Sequence, residues 1–171
     1  MKSHATLFGL LLLSAGAFAD VPRHAFECDT PAGHFAYWKR SLSATDIEVA
    51  GKVTVNELLK DKKWSPVTNI VMVAGNVRYG LHLYGVMKTP DLLFAEMLKV
   101  GGHDSLGLDG VIPRTKDAIP FALRLSPDGT LKVTLAGSEA KTSLGSFKPD
   151  LLEISCSTGD FEFTDVTVTE K

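Results

Sequence analysis

The chain has 171 residues, 44% of them hydrophobic, with 18 basic and 20 acidic side chains and a net charge of −2. So mild a balance, with no basic stripe, excludes a surface built for nucleic acid or for an anionic membrane. The length describes one domain, large enough to bury roughly 70% of the surface its unfolded chain exposes, and so to form a core without a structural metal.

The first residues read as a secretory signal. Lys2 supplies the positive start, Leu7 to Leu13 form an apolar run, and Ala17-Phe18-Ala19 places small residues where a signal peptidase cuts. The run is shorter than the roughly 20 residues needed to span a bilayer, and no later segment is apolar enough. Residues 1–19 are therefore a signal peptide, residues 20–171 the mature domain, and the destination periplasmic or extracellular. Two cysteines remain, Cys28 and Cys156. In an exported chain an even count reads as a disulfide, which requires the two segments to be neighbours, with Cα atoms within roughly 7 Å.

Along the mature chain the hydrophobic period is two. Residues 26–38 are rich in aromatics, with Trp38 beside Phe35 and Tyr37. Ile47, Val49, Gly51, Val53 and Val55 alternate with more polar residues, as in a half-buried strand. Asn69 to Ala74 is short and nearly all apolar, which suits a strand buried on both faces. Arg78 to Val86 sets Tyr79, Leu81 and Leu83 on one face against Arg78, His82 and Tyr84 on the other.

Residues 91–100 carry two signals. Thr89, Pro90 and Gly101 cap a helix well, yet Phe94, Leu98 and Val100 share a strand face broken by Glu96. The surrounding strands favour a strand. Phe121 to Gly137 is a hairpin turning at Pro127-Asp128-Gly129. Leu151 to Ser155 and Phe161 to Val168 read as two last strands, separated by a turn at residues 157–160. Short strands with Gly, Pro and Asp turns indicate an all-β, two-sheet antiparallel sandwich.

An early F-x-C-D-T-P-x-G followed by aromatics (Phe26 to Trp38), the KWSP segment (Lys63 to Pro66), the FALRLSPDGTLKVTLAG hairpin and a closing GDFEFTDVTV strand carry a resemblance. Together they resemble the concanavalin A-like lectin/glucanase jelly roll, including laminin-G-like domains, over most of residues 24–168. The resemblance implies a jelly roll with both chain ends in neighbouring strands, in agreement with a Cys28–Cys156 bridge. It implies a protein of glycan recognition or glycan cleavage.

Glucanases of that family carry an E-x-D-x-x-E strand motif, and no segment here matches it. Asp160, Glu162 and Asp165 come nearest, with Asp160 assigned to the turn and the other two to opposite faces of a regular strand. The expected function is thus a non-catalytic binding module for a carbohydrate or cell-envelope polymer, with a glycan-cleaving enzyme and a protein-interaction domain as alternatives. The ligand-binding candidates are Arg78, His82 and Tyr84, joined by Arg124 if its strand shares their sheet, with Trp38 as a stacking platform. Trp64 is expected in the core or at its rim. Calcium is the one cofactor left open, through Asp104 and Asp109 beside His103 in the loop 101–110, a thin ligand set. Oligomeric state is not legible.

Overall fold

The computed structural model describes residues 22–100 and 106–171, as strands and turns without a helix. The expected signal segment and the candidate metal residues His103 and Asp104 lie outside the described residues, as does the side chain of Asp109. Ten strands follow in chain order: β1 (His24–Ser41), β2 (Ile47–Leu58), β3 (Val67–Ala74), β4 (Val77–Val86), β5 (Thr89–Val100), β6 (Leu106–Pro113), β7 (Ile119–Leu125), β8 (Thr130–Leu135), β9 (Ser138–Ser143) and β10 (Leu151–Glu170). Every pairing is antiparallel.

The two sheets of the sandwich are one hydrogen-bonded surface folded over. The order runs β6-β5-β4-β3-β10-β2-β7-β8-β9, with β1 along the other side of β10. Residues 151–157 of β10 pair with β3, whereas residues 159–170 pair with β2. The first half of β10 belongs to a leaf with β3 to β6, the second half to a leaf with β2 and β7 to β9. At the far ends β6 approaches β9, so the surface nearly closes on itself.

Residues 151–170 are therefore one strand and not two with a turn between them. The periodicity breaks because the backbone of β10 takes a positive φ at Thr158 (59°) and again at Asp165 (54°). Each irregularity shifts which side chains face inward: Leu152, Ile154 and Cys156 are buried before Thr158, Phe161 and Phe163 after it, Val166 and Val168 after Asp165. Asp160 accordingly sits in the strand, and Asp165 bulges outward to meet Lys52 at 2.9 Å. A bulge in β1, where a five-residue step from Thr30 to Phe35 lies against the two-residue step from Gly159 to Ser157, follows the same bend.

Inward side chains of both leaves merge in one core. Ile70, Met72, Leu81, Leu83, Leu93 and Met97 come from the first leaf, and Ile47, Val49, Val53, Phe121, Leu123, Leu131 and Val133 from the second. Cys28 and Cys156 are bridged across β1 and β10 with Cα atoms 6.3 Å apart, at the seam shared by both leaves. Residues 89–100 form strand β5: burial of Leu93, Ala95 and Met97 against β4 outweighs the helix caps. The consequence is that Phe94 and Leu98 face outward along with Glu96, the reverse of the face that their apolar character suggested.

Candidate functional site

The alternation of β4 is as the sequence predicts. Leu81 and Leu83 are buried, while Arg78, His82 and Tyr84 share the outer face of the first leaf. The strand register extends that face sideways into two rows. One runs Tyr37, Ser155, Asn69, His82, Glu96 across β1, β10, β3, β4 and β5. Its neighbour, two residues along, runs Phe35, Ser157, Val67, Tyr84, Phe94, Val111. A polar row thus lies about 7 Å from an aromatic one, the length of two strand residues.

The polar row is a chain of oriented hydrogen bonds. His82 Nδ1 lies 2.5 Å from Asn69 Oδ1, and Asn69 Nδ2 donates to Ser155 Oγ at 3.3 Å. Desolvation by burial lowers the His82 pKa below its usual value, against a smaller opposing pull from Glu96. The ring is therefore neutral at pH 7. With Asn69 Oδ1 able only to accept, the proton belongs on Nδ1, which leaves Nε2 as an acceptor. Nε2 faces Glu96 Oε1 across 3.9 Å, two acceptors with no donor between them. A ligand hydroxyl set there satisfies either one.

The aromatic row is fixed by packing. Tyr84 stacks on Phe94 with centroids 5.6 Å apart, and the His82 ring lies 5.0 Å from Tyr84. At the other end Phe35 is 54% and Tyr37 62% exposed, with Lys39 Nζ 4.4 Å above the Tyr37 ring. Leaving such rings in water forfeits apolar burial, at roughly 25 cal/mol per Å², which marks the face as a surface for contact. Glu153, buried among these residues, is held between Lys39 (3.2 Å) and Arg78 (3.3 Å). Arg78 is thus on the face but engaged with a carboxylate. Gly80 permits the close approach of β4 to β3, since a Cβ there would stand 2.0 Å from the Ile70 carbonyl oxygen.

Two sequence candidates lie elsewhere. Arg124 is on β7, on the outer face of the second leaf, bound to Glu48 (2.9 Å) and Asp46 (3.2 Å). The surface is continuous, but the bend at β10 turns the two leaves apart, so Arg124 does not join His82 and Tyr84. Trp38 alternates with Phe35 and Tyr37 and points inward, half-buried, its ring 5.6 Å from His24. The platform is instead built from its two neighbours. Trp64, expected in the core or at its rim, is 49% exposed and meets Phe35 edge-on at 5.4 Å.

Trp64 belongs to the β2–β3 connection at the bend. Asp61 Oδ1 accepts hydrogen bonds from the backbone N–H of Lys63 (2.7 Å) and Trp64 (3.0 Å), which hold its carboxyl below the usual range and shape the loop. A depression of about 640 Å³ there is lined by Gly33, Lys60, Asp61, Lys62, Lys63 and Trp64. The aromatic pattern of β1 signalled a two-faced strand. It did not say which face was outside, because the bulge at residues 31–34 resets the alternation.

Among the described residues no group of His, Cys, Asp and Glu could hold a metal ion. On the described part of this face the carboxylates are Glu96 and Glu153, on strands three spacings or about 14 Å apart. Glu153 is moreover taken up by Lys39 and Arg78 rather than by a second carboxylate.

No known family model and no curated protein matches the chain. Solved structures do. The CBM2 module of the evolved Dit protein of Lactobacillus casei phage J-1 has a TM-score of 0.56 at 10% identity, over 83% of this chain and 75% of that one. A carbohydrate-binding module from Bacillus subtilis gives 0.51 at 11%, over 86% and 92%. An alginate lyase from Pseudomonas aeruginosa gives 0.52 at 16%, over 74% of this chain and 65% of the lyase. At these identities the likeness is one of fold: the chain has the concanavalin A-like jelly roll that such modules and enzymes share.

Proposed function

We propose that the mature protein is an exported, non-catalytic carbohydrate-binding module, and that it holds a glycan of the cell envelope or surroundings on the outer face of the first leaf. The observation that carries this reading is the adjacency of the two rows. Sugars present an apolar C–H face to aromatic rings and hydroxyls to paired donors and acceptors. Tyr84 and Phe94 offer the first surface, and the gap between His82 Nε2 and Glu96 offers the second. The fold shared with carbohydrate-binding modules supports the same reading, and the engagement of Glu153 by Lys39 and Arg78 supports binding over hydrolysis. The buried disulfide suits an oxidising compartment, in line with the signal segment at residues 1–19.

The test is a glycan array with the oxidised mature protein, beside the variants His82→Ala and Tyr84→Ala, in calcium and in chelator. Specific binding by the wild type, weakened at least tenfold in both variants, is the expected result. Loss of signal in chelator would bring the 101–110 loop into the site. Glycan binding that survives both substitutions would move the site off this face, and an array blank throughout would remove the carbohydrate reading.

A further inference from the structure

The loop at the bend differs from the rest of the surface in its charge. Lys60, Lys62 and Lys63 surround Trp64, and Lys88 lines the far side of the same loop beside Val86 and Met87, in a second depression of about 380 Å³. None of these four lysines is in an ion pair with a described residue. The basic residues of the second leaf, by contrast, are taken up: Lys52 by Asp165, Arg124 by Asp46 and Glu48, Lys132 and Lys141 by Glu139. The one acid in the loop, Asp61, faces the loop's own backbone N–H groups, and the segment keeps a positive excess around an exposed indole.

The site is also built, in that its walls are held. Phe35 fixes Trp64 edge-on, Asp61 fixes the turn, and Gly33 N–H donates to Thr158 Oγ1 at 3.3 Å, anchoring the β1 bulge that forms the opposite wall. At Gly33 φ is +78°, a conformation that favours glycine, and a Cβ there would point at Asp61 and Trp64. From this pocket Trp64, Phe35 and Tyr37 lead onto the polar row containing His82.

We infer that the Lys60–Trp64 loop is an anchoring subsite for an acidic sugar, so that the ligand of the neighbouring face is a polysaccharide bearing carboxylate or sulfate groups. This deepens the carbohydrate reading and rests on it. Lysine ammonium groups serve an acidic substituent as mobile point charges, and the indole receives the sugar ring that carries it. A nucleic acid shares the charge but is disfavoured, because Glu27, Asp29, Asp160 and Glu162 line the neighbouring outer face near the same bend, on paired positions of β1 and β10. That column repels a long uniform polyanion, whereas an oligosaccharide lying along the first leaf avoids it.

The test is titration of the mature protein with oligosaccharides of polygalacturonate, alginate and dextran sulfate, each beside its carboxyl-reduced or desulfated counterpart. Single-stranded DNA of matched charge serves as a further probe. The inference expects at least a tenfold preference for an acidic member over its neutral counterpart, lost as salt rises from about 0.05 M to about 0.5 M. The double variant Lys62→Gln/Lys63→Gln should abolish that preference while binding of the neutral oligosaccharide is kept. Carboxylated and sulfated members distinguish the two sources of charge. Equal affinity for charged and neutral forms would overturn the subsite and leave the carbohydrate reading intact. No binding of any oligosaccharide would overturn both, and DNA binding as tight as the best glycan would replace the acidic sugar by a general polyanion.

Discussion

The outer faces of the two leaves come from the same kind of alternating strand, yet they differ in how their polar groups are used. Across β2 and β7 to β9 of the second leaf the basic groups are matched by neighbours: Arg124 with Glu48 and Asp46, Lys132 with Glu139, Lys52 with Asp165. Its unmatched charge is acidic and lies at the seam, where Glu27 and Asp29 of β1 stand opposite Glu162 and Asp160 of β10. On the first leaf His82 Nε2 and Glu96 are two acceptors without a donor between them, four rings lie exposed or half-exposed, and the lysines at its edge outnumber the one acid of their loop, Asp61, and form no ion pair with a described residue. Polarity alone does not mark a binding surface. What sets the first leaf apart is unsatisfied polarity beside exposed aromatics.

The seam common to both faces is the strongest place to break the structure. Replacing Cys28 and Cys156 by Ala removes a bridge closing a separation of 128 residues. In the chain-entropy model that costs about 5 kcal/mol, and denaturant unfolding with and without reductant measures it. A loss under about 1 kcal/mol would mean that strand pairing alone holds β1 to β10.

A glycine in each leaf separates backbone from side-chain tolerance. Gly80→Ala drives a methyl into the Ile70 carbonyl oxygen at 2.0 Å, whereas Gly51→Ala meets the Phe121 ring at 2.9 Å. The first should cost about 3 kcal/mol and the second about 1 kcal/mol, since a ring gives way more readily than a paired strand. Equal losses in thermal or denaturant melts would contradict that account.

The His82 pair sharpens the comparison through pH. Its folded pKa lies below the unfolded value near 6.5, so the folded state binds fewer protons than the unfolded one as pH falls through that value. Stability from this group is present above about pH 6.5 and declines below it, toward the lowered folded pKa. Protonation also gives Nε2 a hydrogen to direct at Glu96, which closes the gap offered to a ligand. Glycan affinity should decline only at lower pH, as His82 itself protonates in the folded protein below its ordinary pKa, in the wild type and not in His82→Gln. A wild-type affinity that stays constant while the imidazole signals of His82 show its protonation would show that this gap takes no part.

The smallest effect belongs to the second leaf. Arg124→Ala should cost under about 1 kcal/mol, as partly exposed ion pairs do, and should leave glycan affinity unchanged. A large loss of affinity would return Arg124 to the site.

Much of this was legible beforehand. The alternation in Arg78 to Val86 identified the face of His82 and Tyr84, and the even cysteine count pointed to the bridge between β1 and β10. The hairpin at Pro127-Asp128-Gly129 lies between β7 and β8 as its turn residues require. Three readings failed for a common reason. Trp64 stands exposed although its apolar ring suits a core or its rim, Phe94 and Leu98 share a face that turns out to be the outer one, and residues 151–170 continue as one strand through 157–160. Hydrophobicity and turn composition are local, while each outcome depends on which leaf lies across from it.

The sequence by itself determined an all-β chain, the paired cysteines and the two-sided character of most strands, because side-chain alternation and turn chemistry are local properties. Only the tertiary structure decided which side of β1 is outside, that Arg124 and His82 stand on different leaves, and that Trp64 meets Phe35 beside the depression lined by Lys60, Lys62 and Lys63. Those outcomes turn on the bend of β10 at Thr158 and the opposing bulge of β1. A single residue in a left-handed conformation there reverses the alternation, and neighbours far apart in the chain become one surface.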